Sequence, residues 1–127
     1  MENKIVVKNL NLYFDSSHIL KDINLNIRAN EILSIIGPAN SGKTSFLRTL
    51  NRLNDQFHTV KITGNVYLDE KNIYGKDISL PWLRRRVGMV FALPVPLPRS
   101  IFENIVYGPR LNGVTSKVRL EELVEKT

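Results

Sequence analysis

The sequence predicts an α/β fold in which an antiparallel β unit lies beside a strand–loop–helix unit. Two observations predict it. Apolar and polar residues alternate in residues 4–14 and again in residues 23–28, which is the pattern of half-buried strands in a hairpin. Residues 32–36 then form a continuous apolar run, typical of a buried strand, and a loop with two glycines joins this run to residues that are apolar at helical spacing.

Residues 42–91 predict a helix, a pair of short strands, a second helix and a further strand. A helix is expected over residues 42–54, because its apolar residues fall on one stripe formed by Phe46, Leu47, Leu50 and Leu53. Residues 60–74 predict a second pair of short strands around a polar turn at 69–72. Residues 80–86 predict a short helix, and the apolar residues 87–91 predict another strand.

The last third of the sequence predicts a proline-rich loop followed by two helices. Three prolines within residues 92–98 exclude a helix or a sheet interior and predict a stiff, exposed loop. Ser100 and Glu103 fit a capping box, so a helix is expected from residue 101 to about residue 107, ending at Gly108 and Pro109. A final helix is expected from residue 115 or 116, with an apolar side formed by Val118, Leu123 and Val124.

The loop at residues 37–44 matches the pattern G-x-x-x-x-G-K-[ST] at every specified position. Its residues are Gly37, Pro38, Ala39, Asn40, Ser41, Gly42, Lys43 and Thr44. A loop that turns from a strand into a helix aims several backbone N–H groups at one point, and the helix N-terminus adds partial positive charge. The loop is therefore predicted to bind a polyphosphate, with Lys43 reaching the β and γ phosphates and the Thr44 hydroxyl binding Mg²⁺.

An alternative interpretation of this loop is a glycine-bearing turn that only caps a helix. Asn40 stands where many phosphate-binding loops carry glycine, and asparagine is among the residues that best tolerate a left-handed backbone. The sequence around the loop favours phosphate binding, because strand, loop, Lys-Thr pair and helix all occur in the required order.

Composition and charge narrow the possible functions. The chain has no cysteine, which excludes disulfides, thiolate metal sites and cysteine nucleophiles. No apolar run approaches membrane-spanning length, so a chain that is neither exported nor embedded in a membrane is expected. The net charge of +6 is compatible with nucleic-acid binding, but the basic residues are scattered except at 84–86. That triplet is interpreted as a solvated helix face, and nucleic acid is not expected as a partner.

Three further runs carry a resemblance to a known family: residues 45–55, 83–91 and 100–110. With the loop at 37–44 and the order of the predicted elements, they resemble the ATP-binding subunits of ABC transporters and, within these, the phosphate-import subunits. The resemblance covers the whole chain and includes surface positions that folding leaves free. It implies a P-loop NTPase core of the ABC type with an antiparallel β subdomain, and it makes residues 37–44 the Walker A loop, with ATP and Mg²⁺ as cofactors.

The resemblance also implies a base-binding residue and partners. Phe14 falls where the family stacks an aromatic ring on adenine, although neighbouring Tyr13 could serve instead, and ordinary core packing would also explain an aromatic residue there. In the family, two ATP-binding subunits sandwich two nucleotides beneath the membrane permease. The implied location is therefore cytoplasmic, peripheral on the inner face of the cell membrane.

Two departures from the family pattern affect the predicted activity. Ala92 occupies the position of the family's glutamine, which touches Mg²⁺ and the attacking water and relays to the permease. The family's signature motif, its Walker B aspartate with the catalytic glutamate, and its switch histidine are absent from these 127 residues. The resemblance thus implies residues 1–127 as the N-terminal part of the ATP-binding domain, an incomplete core that binds nucleotide without hydrolysing it. The alternatives are a short non-hydrolysing nucleotide-binding module and a basic nucleic-acid-binding domain.

Two expectations concern exposed apolar surface. In the family, the strand at residues 32–36 is flanked by strands that come later in the sequence, so here it is expected to present an apolar edge that pairs with other chains. The loop at residues 92–99 and the start of the following helix are expected to form one wall of a groove that receives a permease helix. That surface would consist of Leu93, Val95, Leu97, Arg99 and Phe102, unless the apolar residues pack inward.

Overall fold

The computed structural model describes residues 2–127. These residues form two compact units, one ending at Met89 and the other comprising Val90–Thr127. The first unit carries all four strands, two α-helices and a 3₁₀ helix, and the second carries two α-helices. The fold is a mixed α/β one with an antiparallel sheet and a partial core, as the sequence predicts.

The sheet of the first unit has the strand order β2-β1-β3-β4, and every neighbouring pair is antiparallel. Strand β1 spans Asn3–Phe14 and β2 spans Ser17–Arg28, joined by a tight turn. Strand β3 spans Val60–Leu68 and β4 is the short strand Lys71–Asn72. The hairpin-rich start and a second strand pair within residues 60–74 are therefore confirmed. The predicted turn at 69–72 was too long, because Lys71 and Asn72 already pair with β3. Strand β1 lies inside the sheet because it pairs with both β2 and β3.

One face of this sheet supplies most of the hydrophobic core. The alternation along β1 buries Leu10 and Leu12 completely, and β3 contributes Val66 and Leu68 from the neighbouring strand. The other buried apolar residues of the unit are Val7, Leu20, Phe46, Leu50, Ile73 and Leu83. The period-2 pattern identifies Leu10 and Leu12 as buried, but it does not account for Val7, which is buried three residues before Leu10.

A bulge in β1 requires glycine in β3. Pairing shifts register between Lys8 and Asn11, and the bulged Asn9 has a positive φ of 49°. Opposite it, Gly64 has φ +89°, and a Cβ there would lie 2.2 Å from the Asn9 carbonyl oxygen. That separation is far below van der Waals contact with a backbone atom, so position 64 accepts only glycine in this geometry.

The helix after the loop is shorter than predicted. Helix α1 spans Lys43–Leu50, and a 3₁₀ helix follows at Leu53–Gln56, so the prediction of one helix over 42–54 was wrong. Arg52 breaks the helix with a left-handed backbone (φ 57°). Its guanidinium bonds Asp55 at 2.8 Å and the Ile73 carbonyl at 3.2 Å, and these partners hold the reversal in place. The break leaves Phe46 and Leu50 buried and Leu47 exposed.

Helix α2 spans Leu80–Arg86, as predicted. The Ser79 hydroxyl accepts a hydrogen bond from the Trp82 N–H at 3.4 Å, and Leu83 is the buried residue of the helix. The arginine triplet 84–86 is exposed, which confirms the solvated helix face. Arg86 pairs with Asp69 at 2.6 Å, and Lys4 pairs with the same carboxylate at 2.7 Å.

Two predicted strands are not strands in the structure. Neither residues 32–36 nor residues 87–91 belong to the sheet, and Ile36 and Val90 are 91% and 96% exposed. A strand is defined by pairing with a neighbour, and none of the described residues 2–127 pairs with these segments. The prediction that residues 32–36 present exposed apolar surface is consistent with this arrangement.

The second unit contains α3, Ile101–Leu111, and α4, Lys117–Glu125. The Ser100 cap is confirmed, since its hydroxyl accepts from the Glu103 N–H at 3.1 Å. The predicted end at residues 108–109 was wrong, because α3 continues through Pro109. Arg110 donates to both Glu103 carboxylate oxygens at 2.9 and 2.8 Å, which ties the last turn to the first despite the N–H that proline lacks.

The apolar side of α4 also differs from the prediction. Leu120 is buried, Leu123 and Val124 are half-buried, and Val118 is exposed. Val118 lies in the first turn, on the side of the helix away from Leu120. Its hydrophobicity therefore did not indicate its burial.

Candidate functional site

The loop at residues 37–44 leads directly into α1. Gly42 is the N-cap residue, with φ 90° and ψ 3°, and its carbonyl accepts from the Phe46 N–H at 2.8 Å. No side chain caps this helix end, so the first-turn N–H groups point toward the loop without a side-chain acceptor. Asn40 has a left-handed backbone, φ 59°, as expected of an asparagine at a glycine-like position.

Gly42 is packed against β2. A Cβ at this position would lie 3.1 Å from Leu20 Cδ2 and 3.3 Å from Ile19 Cγ2. Both the backbone angle and the space therefore favour glycine. The close contact sets the start of α1 against the strand that carries Ile19 and Leu20.

The Lys43 side chain folds back over the loop. Its ammonium donates to the carbonyl oxygens of Gly37, at 2.8 Å, and of Pro38, and it also lies 3.2 Å from Ser41 Oγ. These oxygens place the positive charge directly above the loop rather than in the surrounding solvent. A phosphate bound to the loop would therefore lie close to the Lys43 ammonium.

The loop and Phe14 share one cavity of about 310 Å³. Eight residues line it: Phe14, Ile19, Asn40, Ser41, Gly42, Lys43, Thr44 and Ser45. The structure thus brings Phe14 together with residues 40–44, whereas Gly37, Pro38 and Ala39 lie in the loop outside the lining. Neighbouring Tyr13 stacks instead on His18, with ring centroids 4.1 Å apart. Of the two aromatic residues that the sequence left open, Phe14 is the one that lines the cavity.

The cavity lining supplies only some of the oxygen ligands that a hard cation such as Mg²⁺ requires. Thr44 is exposed and lines the cavity, so its hydroxyl can serve as one oxygen ligand of Mg²⁺. No group of three acidic, histidine or cysteine side chains that could hold a metal occurs among residues 2–127 as described. A magnesium ion here would depend on ligand phosphates for most of its coordination, which is its usual mode in nucleotide sites.

The sequence patterns did not predict the buried hydrogen bonds that hold α1 in place. Asn54 is fully buried, and its amide donates to the Ser45 carbonyl and to Thr49 Oγ1, both at 2.9 Å. The Tyr74 hydroxyl donates to the Thr49 carbonyl at 3.0 Å, and burial raises the pKa of this phenol. These bonds fix the helix whose first residues line the cavity. The signal in the sequence was slight, an asparagine at the end of an apolar stripe.

In the second unit, one side chain organises the proline-containing loop. The side-chain oxygen Oδ1 of Asn104 accepts from the Leu97 N–H at 2.7 Å, and the side-chain Nδ2 donates to the backbone carbonyls of Leu97, Arg99 and Ser100 within 3.2 Å. Residues 92–98 form neither helix nor strand, as predicted. Leu93 and Val95 are 77% and 82% exposed, so these two apolar side chains do not pack inward, whereas Phe102 is half-buried. Ala92 is exposed in the same loop.

A glycine-containing loop with these features at the start of a helix is typical of a P-loop protein, and comparison with known families identifies its type. The chain belongs to the ABC transporter family, whose model matches residues 20–127. Among the described residues, no helix has the length and hydropathy needed to cross a membrane.

The chain is also similar to individual curated proteins. It is 48% identical over 120 residues to the phosphate import ATP-binding proteins PstB of Bacillus cereus, Bacillus thuringiensis subsp. konkukian and Bacillus anthracis. Each match covers 94% of this chain and 44% of the relative. The chain therefore spans less than half the length of these relatives.

Proposed function

We propose that residues 37–44 bind Mg-ATP or Mg-ADP and that Phe14 stacks on the adenine base. The observation that carries this proposal is the shared cavity, which has a phosphate-binding loop on one side and an aromatic ring on the other. Its volume of about 310 Å³ lies at the lower end of the range for small-molecule sites. Such a cavity fits a ligand with both a polyphosphate and a flat base.

Each part of the cavity has a distinct task in this proposal. The uncapped N-terminus of α1 and the loop N–H groups bind phosphate oxygens, and the Lys43 ammonium moves from the loop carbonyls to the terminal phosphates. Mg²⁺, when bound, neutralises phosphate charge, and Thr44 holds it on the protein side. The buried Asn54 keeps α1 in position behind these groups.

The test is a titration with a fluorescent ATP analogue. Lys43→Ala removes charge-assisted hydrogen bonds worth about 1.5–3 kcal/mol, so affinity is expected to fall about 10- to 100-fold. Lys76→Ala is the matched control, because Lys76 is an exposed lysine outside the cavity. Equal affinity in wild type and Lys43→Ala would show that the loop is not the binding site.

We further propose that residues 1–127 alone bind nucleotide without hydrolysing it. None of the eight residues that line the cavity has a carboxylate or imidazole group, so no general base stands beside the phosphate site. Phosphate release by purified protein is therefore expected to stay at background. Activity that co-purifies with the chain and disappears in Lys43→Ala would contradict this.

In the cell, we propose, the chain is the N-terminal part of an ATP-binding subunit that powers phosphate import. Its similarity to the phosphate import ATP-binding proteins supports the substrate. The proposed partners are a membrane permease and a second ATP-binding subunit, at the cytoplasmic face of the membrane. The exposed side chains of Leu93 and Val95 support a docking surface for the permease in the loop that Asn104 holds. Loss of phosphate uptake on deletion of the coding sequence would support this role, and unchanged uptake would argue against it.

A further inference from the structure

The Phe14 ring has an aromatic neighbour that does not line the nucleotide cavity. The ring centroids of Phe14 and Phe57 are 5.6 Å apart, and their planes meet at 72°. Phe57 lines a separate cavity, together with residues of β3 and with Tyr74. It is 38% exposed, so it is not a residue of the main core. The contact between the two rings therefore lies at the edge of the core, against which Phe14 is partly packed.

The backbone holds Phe57 on both sides. Its N–H donates to the Asn54 carbonyl at 3.0 Å, and its own carbonyl accepts from the Val60 N–H at 3.2 Å. Two residues further, the Thr59 carbonyl accepts from the Asp15 N–H at 3.1 Å, which joins this segment to the turn after Phe14. Because Asn54 also bonds the Ser45 carbonyl, a continuous set of contacts links α1, Phe57 and the end of β1.

Phe14 packs against the core on one side only. It is the last residue of β1, half-buried, and one side of it faces the cavity. A phenylalanine side chain in such a place has three staggered χ1 positions, and near-perpendicular packing against a second ring favours one of them. We infer that Phe57 is a positioning residue that holds the Phe14 ring in the orientation in which it stacks on the base. This inference rests on the proposed stacking by Phe14.

The expected loss of ATP affinity follows from the rotamer populations of the Phe14 ring. Without its neighbour, a ring that samples three rotamers spends about one third of the time in the competent one, and apparent affinity falls by that fraction. Loss of Phe57 is therefore expected to weaken ATP binding about threefold. Inorganic tripolyphosphate has no base and does not use Phe14, so its affinity is expected to stay unchanged.

The experiment measures dissociation constants for Mg-ATP and Mg-tripolyphosphate by calorimetry on the 127-residue chain. Phe57→Leu keeps an apolar side chain and removes the ring, and Phe57→Tyr keeps the ring as the conservative variant. The expected result is about threefold weaker ATP binding in Phe57→Leu, wild-type ATP binding in Phe57→Tyr, and the same tripolyphosphate affinity in all three proteins. In a Phe14→Leu background, Phe57→Leu is expected to have no further effect on ATP.

Three other outcomes would overturn the inference. Unchanged ATP affinity in Phe57→Leu would show that Phe14 needs no support. Equal losses for ATP and tripolyphosphate would show a general structural role rather than positioning of the base-stacking ring. If wild type binds ATP but Phe14→Leu binds it equally well, the stacking role fails and the inference with it. A wild-type chain that binds neither probe would instead refute the proposed function itself.

Discussion

Gly42 offers the sharpest test of how backbone geometry supports the candidate site. It caps α1 with φ +90°, and Leu20 Cδ2 and Ile19 Cγ2 would lie 3.1 and 3.3 Å from an added Cβ. The substitution Gly42→Ala therefore changes one methyl group and acts on both the loop conformation and its packing on β2.

The backbone is expected to account for most of the effect. A left-handed conformation costs an L-residue about 1–2 kcal/mol. The contacts at 3.1 and 3.3 Å are with the ends of side chains, which can shift by a few tenths of an ångström, and so they add less. If the variant relieves this strain by leaving the phosphate-binding conformation, the same free energy appears as about 5- to 30-fold weaker nucleotide binding.

The assay pairs urea denaturation with ATP titration. Gly113→Ala is the control, because Gly113 has nearly the same backbone angle, φ +88°, but no atom within 4 Å of the added Cβ, and it lies in the other unit. Gly113→Ala is expected to leave ATP affinity at the wild-type value. Wild-type stability and wild-type affinity in Gly42→Ala would refute the argument that this loop requires glycine.

Three further predictions concern charge, surface and coupling. The ion pair with Lys4, assisted by Arg86, lowers the pKa of Asp69 below its unfolded value of 3.8. The free energy of unfolding is measured against pH for wild type and Asp69→Asn. Wild type is expected to be more stable well above pH 3.8 and to lose this advantage as the pH falls through the lowered pKa of Asp69. A stability difference that does not change with pH would contradict this prediction. The exposed segment at 32–36 is expected to drive association at micromolar concentration, and Ile36→Lys to reduce light scattering, whereas a monomer with a sharp melt would count against this. When residues 1–127 are joined to an intact family C-terminal half, Ala92→Gln is expected to increase stimulation of ATPase activity by the permease, and a fully coupled Ala92 chimera would show that the departure is harmless.

Local patterns in the sequence were enough for several elements. The alternation in β1 and β2, the strand pair within residues 60–74 and the bounds of α2 all follow from interactions between near neighbours in the chain. The pattern of the loop at residues 37–44 could be recognised for the same reason, because its glycines, Lys43 and Thr44 lie within eight consecutive residues. The left-handed backbone of Asn40 agrees with its place at a glycine-like position of the pattern and with the tolerance of asparagine for this conformation.

Other features depended on partners far away in the sequence. The apolar run at 32–36 looks like a strand, but strand formation needs a hydrogen-bonded neighbour, and none of the described residues provides one. Helix α1 ends early because Arg52 finds the Ile73 carbonyl twenty-one residues away. Helix α3 continues past the expected stop because Arg110 reaches back to Glu103.

The sequence by itself determined that this chain has a loop with the phosphate-binding pattern at the start of a helix, since every residue that defines the pattern is local. Only the tertiary structure decided what surrounds the loop. Phe14, and not Tyr13, lines the cavity, and the buried Asn54 bonds the Ser45 carbonyl and Thr49 Oγ1 in α1. The physical reason is that alternation identifies two faces of a strand, but which face meets the loop depends on how the sheet packs against α1.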